Sequence, residues 1–403
     1  MNRMKKLTMF LGTILTSTLL MATLAMANAV PAEDFNLIFN GEAVVFEADA
    51  PPVIRDGSTL LPLRFLFNLL NSDESGVLEW DGATQEITIA FGETEAKLWI
   101  GVQNAVVNGV DTPINGAAPI LFNNRTYVPL RFLADTFDMT TGWDAASRTA
   151  SAIDNATLDR IMEIMEGSSP TDLEDLRMSI DMYMDMSVSV IFGEEEEEVE
   201  VTIEGVINID LAEMFSHIHM TTVAMGETVV VDQFDDGEWT FISTGDEVLK
   251  APSAFAELGD LSAFMEQFEA FSSLELHREF YTAFNLEVVG GTYVLSGPVF
   301  ITDEYFAEML ALMGDMGAMV DDILGGMSLN IRSFYYRLVV DQETGILTSM
   351  EMQFDADITM EVEGVEMFIS IAADIRMPNF DFDPTFESVV PQEIIDAAVE
   401  MEI

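Results

Sequence analysis

The sequence predicts an α+β protein: a small, duplicated, β-rich N-terminal domain with short helices, followed by a larger curved antiparallel sheet packed with helices. Two observations support this prediction. One motif occurs twice between residues 56 and 144, and each copy joins turn residues to a helical stretch and a strand end. After residue 175, long stretches alternate between apolar and polar residues, which is typical of half-buried strands.

The composition excludes several classes of protein. The 403 residues include 71 Asp and Glu, only 16 Lys and Arg, and no cysteine. Because phosphate binding needs a basic face, this balance excludes nucleic-acid binding. The absence of cysteine excludes disulfide bonds and thiolate metal sites. Hydrophobic residues make up 49% of the chain, which excludes a wholly disordered acidic protein.

The first 29 residues have the order of an export signal. Three basic residues precede an apolar run, and small residues at positions 25, 27 and 29 follow it. We predict a signal peptide at 1–29, with an uncleaved membrane anchor as the alternative. Since no later apolar run approaches about 20 residues, we expect no transmembrane helix in the mature chain and a secreted, extracytoplasmic location.

The repeated motif defines a domain that we place at residues 36–153. Residues 56–66 match residues 123–133, and both copies contain Pro-Leu-Arg-Phe-Leu and are followed by a Trp-Asp pair. We expect turn residues to open each copy, proline to take the first helical position, and Trp-Asp to end a strand. The residues expected to maintain this repeated architecture are Pro62, Arg64, Trp80, Asp81, Pro129, Arg131, Trp143 and Asp144.

Strands are expected between the two copies. Residues 86–90 alternate between the two faces of a strand, and residues 96–107 predict a further strand. Asn108-Gly109 then predicts a hairpin turn, because this dipeptide favours positive φ at both positions. The domain should therefore be rich in hairpins.

This repeated unit resembles the copper amine oxidase N-terminal-like domain of Gram-positive envelope proteins. That family has the pattern Gly-Arg-Thr-x-Val-Pro-Leu-Arg, a short helix, and then Val-x-Trp-Asp. Asn68 departs from it, since the family's first helix usually has Glu there. The resemblance implies an exported, wall-associated, non-catalytic module, because in amine oxidases this domain is a stalk remote from the copper and the quinone. The chain has no Asn-Tyr pair for quinone formation, so we expect no oxidase activity and no cofactor.

Arg64 and Arg131 have two interpretations. Their guanidinium groups suit the phosphates and carboxylates of wall polymers. Alternatively, each arginine pairs with a local carboxylate, such as Asp81 or Asp144, and locks the helix to the next strand. Because both copies keep the arginine together with the Trp-Asp pair, the sequence favours the structural role.

A second domain is expected at residues 175–400, after a linker at 154–174 that contains a short helix. Residues 178–190 alternate strictly, with methionines, Ile180 and valines on one face and Ser, Asp and Tyr on the other. Residues 200–209 alternate as well, and strand-like runs continue to residue 376. Residues 254–271 and 303–324 carry apolar stripes at helical spacing.

This layout resembles, more loosely, the half-barrel of LolA-like lipoprotein carriers and related envelope lipoproteins. The resemblance implies a concave apolar face that holds lipid chains, and the flexible thioether of methionine suits irregular apolar partners. Met178, Met182, Met184 and Met186 are therefore the candidate apolar-ligand face. Packing of the helices against the sheet is the alternative role for these methionines.

His217 and His219 are the candidate metal ligands, because they lie two residues apart on one strand face. An ordinary half-exposed strand face is the alternative that the sequence favours. No hydrolase, phosphate-loop or dinucleotide motif occurs. We therefore expect a non-catalytic protein of the bacterial cell envelope or wall. Its N-terminal domain would associate with wall polymer or surface, and its C-terminal domain would bind an apolar ligand or partner. A wall-polymer hydrolase and a purely structural surface protein are the alternatives.

Overall fold

The computed structural model describes residues 35–400 with gaps at 48, 56, 72–74, 146, 169–175, 193–194, 246, 254–277, 301–326 and 363–364. The described residues divide into two compact units. The N-terminal unit combines the residues up to Glu163 with the segment Arg278–Leu286, and the C-terminal unit contains the rest. The expected signal peptide and the predicted helices at 254–271 and 303–324 lie outside the described residues.

Three small sheets build the N-terminal unit, in the orders β12-β13-β1-β2, β10-β11-β4-β3 and β5-β6-β7-β8-β9. The strands are β1 Asn36–Phe39, β2 Glu42–Val44, β3 Val53–Arg55, β4 Ser58–Pro62, β5 Val77–Asp81, β6 Glu86–Phe91, β7 Thr94–Trp99, β8 Asn104–Val107, β9 Val110–Pro113, β10 Ile120–Phe122, β11 Arg125–Pro129, β12 Met139–Asp144 and β13 Thr149–Asp154. The helices are α1 Leu63–Leu70, α2 Leu130–Thr136 and α3 Asn155–Gly167. The boundary between the two units falls inside α3.

The two copies of the motif fold into the same order of elements, β3-β4-α1-β5 and β10-β11-α2-β12. Strands β4 and β11 pair in antiparallel fashion, and Leu61 lies opposite Val128, its equivalent in the other copy. An antiparallel pair centred on equivalent residues has local twofold symmetry. The two copies of the motif therefore contact each other through equivalent strands, β4 of the first copy and β11 of the second. Both central side chains are fully buried, so this pairing forms part of the core.

Two local predictions for this unit need correction. Pro62 and Pro129 each end a strand and cap the following helix rather than taking its first position. The predicted single strand at 96–107 is two strands, β7 and β8. Gly101 lies between them with a φ of 75°, a conformation that glycine adopts without strain. The Asn108-Gly109 hairpin turn is confirmed, with φ values of 51° and 81°.

A segment distant in sequence completes the N-terminal unit. It begins with a 3-10 helix, Arg278–Tyr281, and continues to Leu286. The hydroxyl of Ser151 on β13 donates a hydrogen bond to the hydroxyl of Thr282 at 2.6 Å, and both side chains are fully buried. Arg278 also pairs with Asp159 on α3. The sequence pattern did not predict this association.

A twelve-stranded sheet builds the C-terminal unit, in the order β20-β21-β22-β23-β24-β14-β15-β16-β17-β18-β19-β25. Its strands are β14 Arg177–Phe192, β15 Glu195–Asp210, β16 Phe215–Ala224, β17 Glu227–Asp235, β18 Trp239–Ser243, β19 Val248–Pro252, β20 Asn285–Val289, β21 Thr292–Pro298, β22 Met327–Asp341, β23 Leu347–Val362, β24 Val365–Asp381 and β25 Ala398–Glu400. Neighbours from β21 to β19 are antiparallel, whereas β25 adds parallel to β19 after the short helix α4, Gln392–Ala397.

The central strands of this sheet are unusually long, at 15 to 17 residues for β22, β23 and β24. Register shifts interrupt the ladder between Asp181 and Tyr183 and between Ile331 and Ser333. An extra residue on one strand bends it and increases its twist. The prediction of a large curved antiparallel sheet therefore agrees with the structure.

Candidate functional site

One face of the central strands is a continuous apolar surface. Register places Met184 of β14 opposite Ile203 of β15 and Ile375 of β24, and Met186 opposite Val201 and Ala373. The buried cluster comprises Met182, Met184, Met186, Val188, Val199, Val201, Ile203, Ala356, Ile358, Met360, Ile369, Ile371, Ala373 and Ile375. Every member is apolar, so the side chains of this cluster carry no hydrogen-bonding group.

Three of the four methionines named from the sequence lie in this cluster. Met182, Met184 and Met186 are buried, whereas Met178 is half-buried and lies outside the cluster. Apart from Val188 of β14, the additional members come from β15, β23 and β24. The sequence shows that these strands alternate between apolar and polar residues, but it does not show which of them lie beside β14. Only the pairing of β24 with β14, which joins residues almost 200 positions apart, brings them together.

A notch lies in this face beside Met182. Register places Gly205 of β15 between Met182 of β14 and Met220 of β16. A Cβ atom added at Gly205 would lie 2.5 Å from the carbonyl oxygen of His219 and 3.0 Å from Cγ of Met220. Glycine is therefore required here, because it lets the two strands approach and leaves room for the Met220 side chain.

The opposite face of the same strands is polar and carries cross-strand ion pairs. On this face Arg177 of β14 lies 3.6 Å from Asp210 of β15, and the other arginines lie on β22 and β24, where each contacts a carboxylate on its own or a neighbouring strand. The pairs are Arg332 with Asp357 (3.4 Å), Arg337 with Glu351 (3.3 Å) and Arg376 with Asp374 (3.5 Å) and Asp185. Strands β15, β16 and β17 contain no Lys or Arg.

His217 and His219 lie on the polar face and share one carboxylate. Nε2 of His217 lies 3.0 Å, and Nδ1 of His219 2.8 Å, from Oδ1 of Asp232 on β17. The ring of His217 also stacks on Phe234, with 4.2 Å between centroids. Among the described residues, no group of three or more His, Asp and Glu side chains could hold a metal ion. The two histidines are therefore hydrogen-bonding partners of Asp232.

The ionisation of Asp232 reflects this arrangement. Burial acts to raise the pKa of Asp232, but hydrogen bonds and charge attraction from His217 and His219 outweigh burial. Its pKa therefore lies below the ordinary value. The charged carboxylate is the form that the folded protein favours.

In the N-terminal unit, the tryptophans of both copies are unusually accessible. Trp80 ends β5 with 47% of its surface exposed, and Trp143 ends β12 with 42% exposed. The ring of Trp143 stacks on Phe35 with 6.0 Å between centroids. Half-exposed aromatic rings at equivalent positions of the two copies are available to a partner.

The expected ion pairs of Arg64 and Arg131 with the Trp-Asp carboxylates do not form. Asp81 instead accepts a hydrogen bond from the backbone N–H of Ala83 at 2.8 Å, which lowers the pKa of Asp81 together with a bond from the Thr84 side chain. Asp144 accepts one from the N–H of Ser147 at 3.1 Å. Both carboxylates accept hydrogen bonds within their own turns, because an Asp side chain readily accepts a hydrogen bond from the backbone N–H two or three residues ahead.

Arg64 and Arg131 are both exposed. Neither makes a hydrogen bond or an ion pair with any residue that the structure describes. Burial raises the pKa of Asp135, one turn after Arg131, and the positive charge of Arg131 partly opposes that rise. The structural role that the sequence favoured for these arginines therefore has no ion pair to support it.

Within the described part of the chain, no helix combines the length and the apolar character that a membrane crossing requires.

Comparison with known families divides the chain at α3. Residues 38–152 match the copper amine oxidase N-terminal domain, which confirms the resemblance predicted from the repeat. Residues 157–399 match a family of unknown function, DUF6612, and this match spans more than half of the chain. No curated protein matches the sequence.

Among solved structures, LprF from Mycobacterium bovis has 10% identity and a TM-score of 0.25, covering 57% of this chain and 95% of LprF. A putative outer membrane lipoprotein-sorting protein domain from Vibrio parahaemolyticus has 9% identity and a TM-score of 0.16, covering 57% of this chain and 93% of that one. The second is a protein of the kind that the sequence layout resembles. TM-scores this low carry no argument about function.

Proposed function

We propose that this chain, which belongs to the DUF6612 family, is a non-catalytic extracytoplasmic envelope protein that binds an apolar ligand on the buried face of its twelve-stranded sheet. The N-terminal domain associates the protein with anionic polymer of the cell wall. Each half of this proposal rests on its own surface and has its own test.

The observation that carries the ligand proposal is the fourteen-residue apolar cluster on β14, β15, β23 and β24. It contains four methionines, whose flexible side chains adapt to partners of irregular shape. From Met182 to Val188 alone the surface runs for about 20 Å along one strand. A surface of this length without polar groups suits an extended hydrocarbon chain better than a compact polar molecule.

Binding of a fluorescent fatty acid to the full mature chain tests this proposal. Ala373→Leu enlarges a buried side chain within the apolar cluster, whereas Ala372→Leu makes the same change on the exposed face one residue away. We expect Ala373→Leu to weaken binding at least about fivefold, because overpacking removes room for the ligand. Ala372→Leu should bind like the parent protein. Equal binding by both variants, or none by the parent, would contradict the proposal.

The wall-association proposal is supported by Arg64 and Arg131, whose guanidinium groups are exposed and make no ion pair with a described residue. A guanidinium group binds phosphate or carboxylate through two parallel hydrogen bonds. In a chain with 71 acidic residues, arginines in both copies of one motif that pair with no described carboxylate are notable cations.

A pull-down of the full mature chain with isolated cell walls tests this half. The double variant Arg64→Gln/Arg131→Gln should lose most of its retention on the wall. A charge-matched control is Arg332→Gln/Arg337→Gln, which removes the same charge from arginines already paired with carboxylates. If both double variants are retained equally, the two repeat arginines are not the binding groups.

A further inference from the structure

One edge of the twelve-stranded sheet's central hairpin has no neighbouring strand among the residues that the structure describes. Residues Glu195–Glu200 of β15 pair with β14 on one side. On the other side, β16 reaches only to Ala224, which lies opposite Val201. No strand within the described part of the chain pairs with this edge of Glu195–Glu200. The unpaired backbone N–H and C=O groups extend for about 20 Å, and such an edge is a template for one more strand.

The side chains along this edge have a regular arrangement. Glu196, Glu198 and Glu200 lie on the polar face of the sheet, and all three are exposed. Glu197, opposite Val190, adds an exposed carboxylate on the other face. Val199, between Glu198 and Glu200, is buried in the apolar cluster on that other face. A strand added here would therefore meet carboxylates at every second position on one face.

The charge of the edge decides which partner fits. A second copy of the chain would place carboxylates opposite carboxylates, and like charges in cross-strand positions are destabilising. Acidic edges also discourage nonspecific strand pairing. An extended peptide with cationic side chains satisfies both the backbone groups and the carboxylates.

We propose that this edge of β15 at Glu195–Glu200 docks an extended cationic segment of a partner protein. The segment adds as a strand beside β15 and places Lys or Arg opposite Glu196, Glu198 and Glu200. Main-chain hydrogen bonds supply affinity, and the alternation of charge supplies specificity. The carboxylates of this site at Glu196, Glu198 and Glu200 lie on the polar face of β15, opposite the face that carries the apolar cluster.

Two synthetic peptides of equal composition test the proposal against simple charge attraction. The first is Lys-Val-Lys-Val-Lys-Val, and the second is Lys-Lys-Lys-Val-Val-Val. Fluorescence anisotropy with the full mature chain should show the alternating peptide binding at least about tenfold more tightly. Equal affinities would mean that only net charge matters, and the absence of binding by either peptide would also overturn the proposal. N-methylation of the alternating peptide keeps its charge but removes backbone donors, and should abolish binding.

Substitutions in the protein locate the site. Glu198→Gln should weaken the alternating peptide about two- to fivefold, the range expected for one cross-strand charge pair. The control is Glu204→Gln, on the same strand and face but at a position where Thr221 of β16 already occupies the edge. Its affinity should be unchanged. Equal losses in both variants, or a peptide-free dimer in native mass spectrometry, would contradict docking at this edge.

Discussion

The hydrogen bond between Ser151 and Thr282 gives a sharp test of how the N-terminal unit is completed. Both hydroxyls are fully buried, and their oxygens are 2.6 Å apart. Thr282→Val keeps the shape of the side chain but removes the acceptor, which leaves the Ser151 donor buried without this partner. Because an unsatisfied buried polar group costs about 1–3 kcal/mol, the variant should be destabilised by that amount.

The matching double variant separates this hydrogen bond from packing. Ser151→Ala/Thr282→Val removes both hydroxyls, and replacing both partners by apolar groups costs little. We expect the double variant to be more stable than the sum of the two single losses predicts, with a coupling energy of at least about 0.5 kcal/mol. Differential scanning calorimetry of the full mature chain measures each loss. Additive losses would show that the hydroxyls of Ser151 and Thr282 are not hydrogen-bonded to each other in solution.

Three further outcomes follow from the geometry of the C-terminal unit and from its charge. Gly205→Ala should cost about 1–3 kcal/mol, because the new Cβ would lie 2.5 Å from the His219 carbonyl oxygen; a melting temperature equal to that of the parent would contradict the notch. Asp232→Asn should lower stability at neutral pH by less than about 1 kcal/mol, since the partners are partly exposed. Because the pKa of Asp232 in the folded protein lies below the ordinary value, the stability difference between the parent and the variant should be present above about pH 4 and shrink as pH falls through the folded pKa. The same stability for parent and variant at all pH values would show that the histidine contacts do not form. Finally, a net charge of −55 predicts that melting temperature rises with added NaCl through screening of self-repulsion, and a flat response would refute this.

The sequence predicted those features that depend on local pattern. Strict alternation over residues 178–190 identified the strand β14, Arg177–Phe192, and placed Met182, Met184 and Met186 on its buried face. The Asn108-Gly109 turn followed from the positive φ that both residues tolerate. In both cases the structure is determined by interactions among residues that are close together in the sequence.

Features that depend on distant pairing could not be predicted. Arg64 was expected to contact Asp81, but the carboxylate is taken by the nearer backbone of its own turn. The association of segment 278–286 with the rest of the N-terminal unit rests on contacts across more than a hundred residues, such as Ser151 with Thr282 and Asp159 with Arg278, which leave no periodic signal. The edge of β15 at Glu195–Glu200 likewise depends on where β16 ends, and this is fixed by pairing rather than by composition.

Native mass spectrometry of the mature protein, purified without detergent from its own envelope, tests the apolar-ligand proposal most directly. The account predicts a bound species of lipid-like mass that is lost on organic extraction, and that is reduced in Ala373→Leu but retained in Ala372→Leu. A spectrum that contains only the mass of the bare polypeptide, from protein that is folded by circular dichroism, would contradict it.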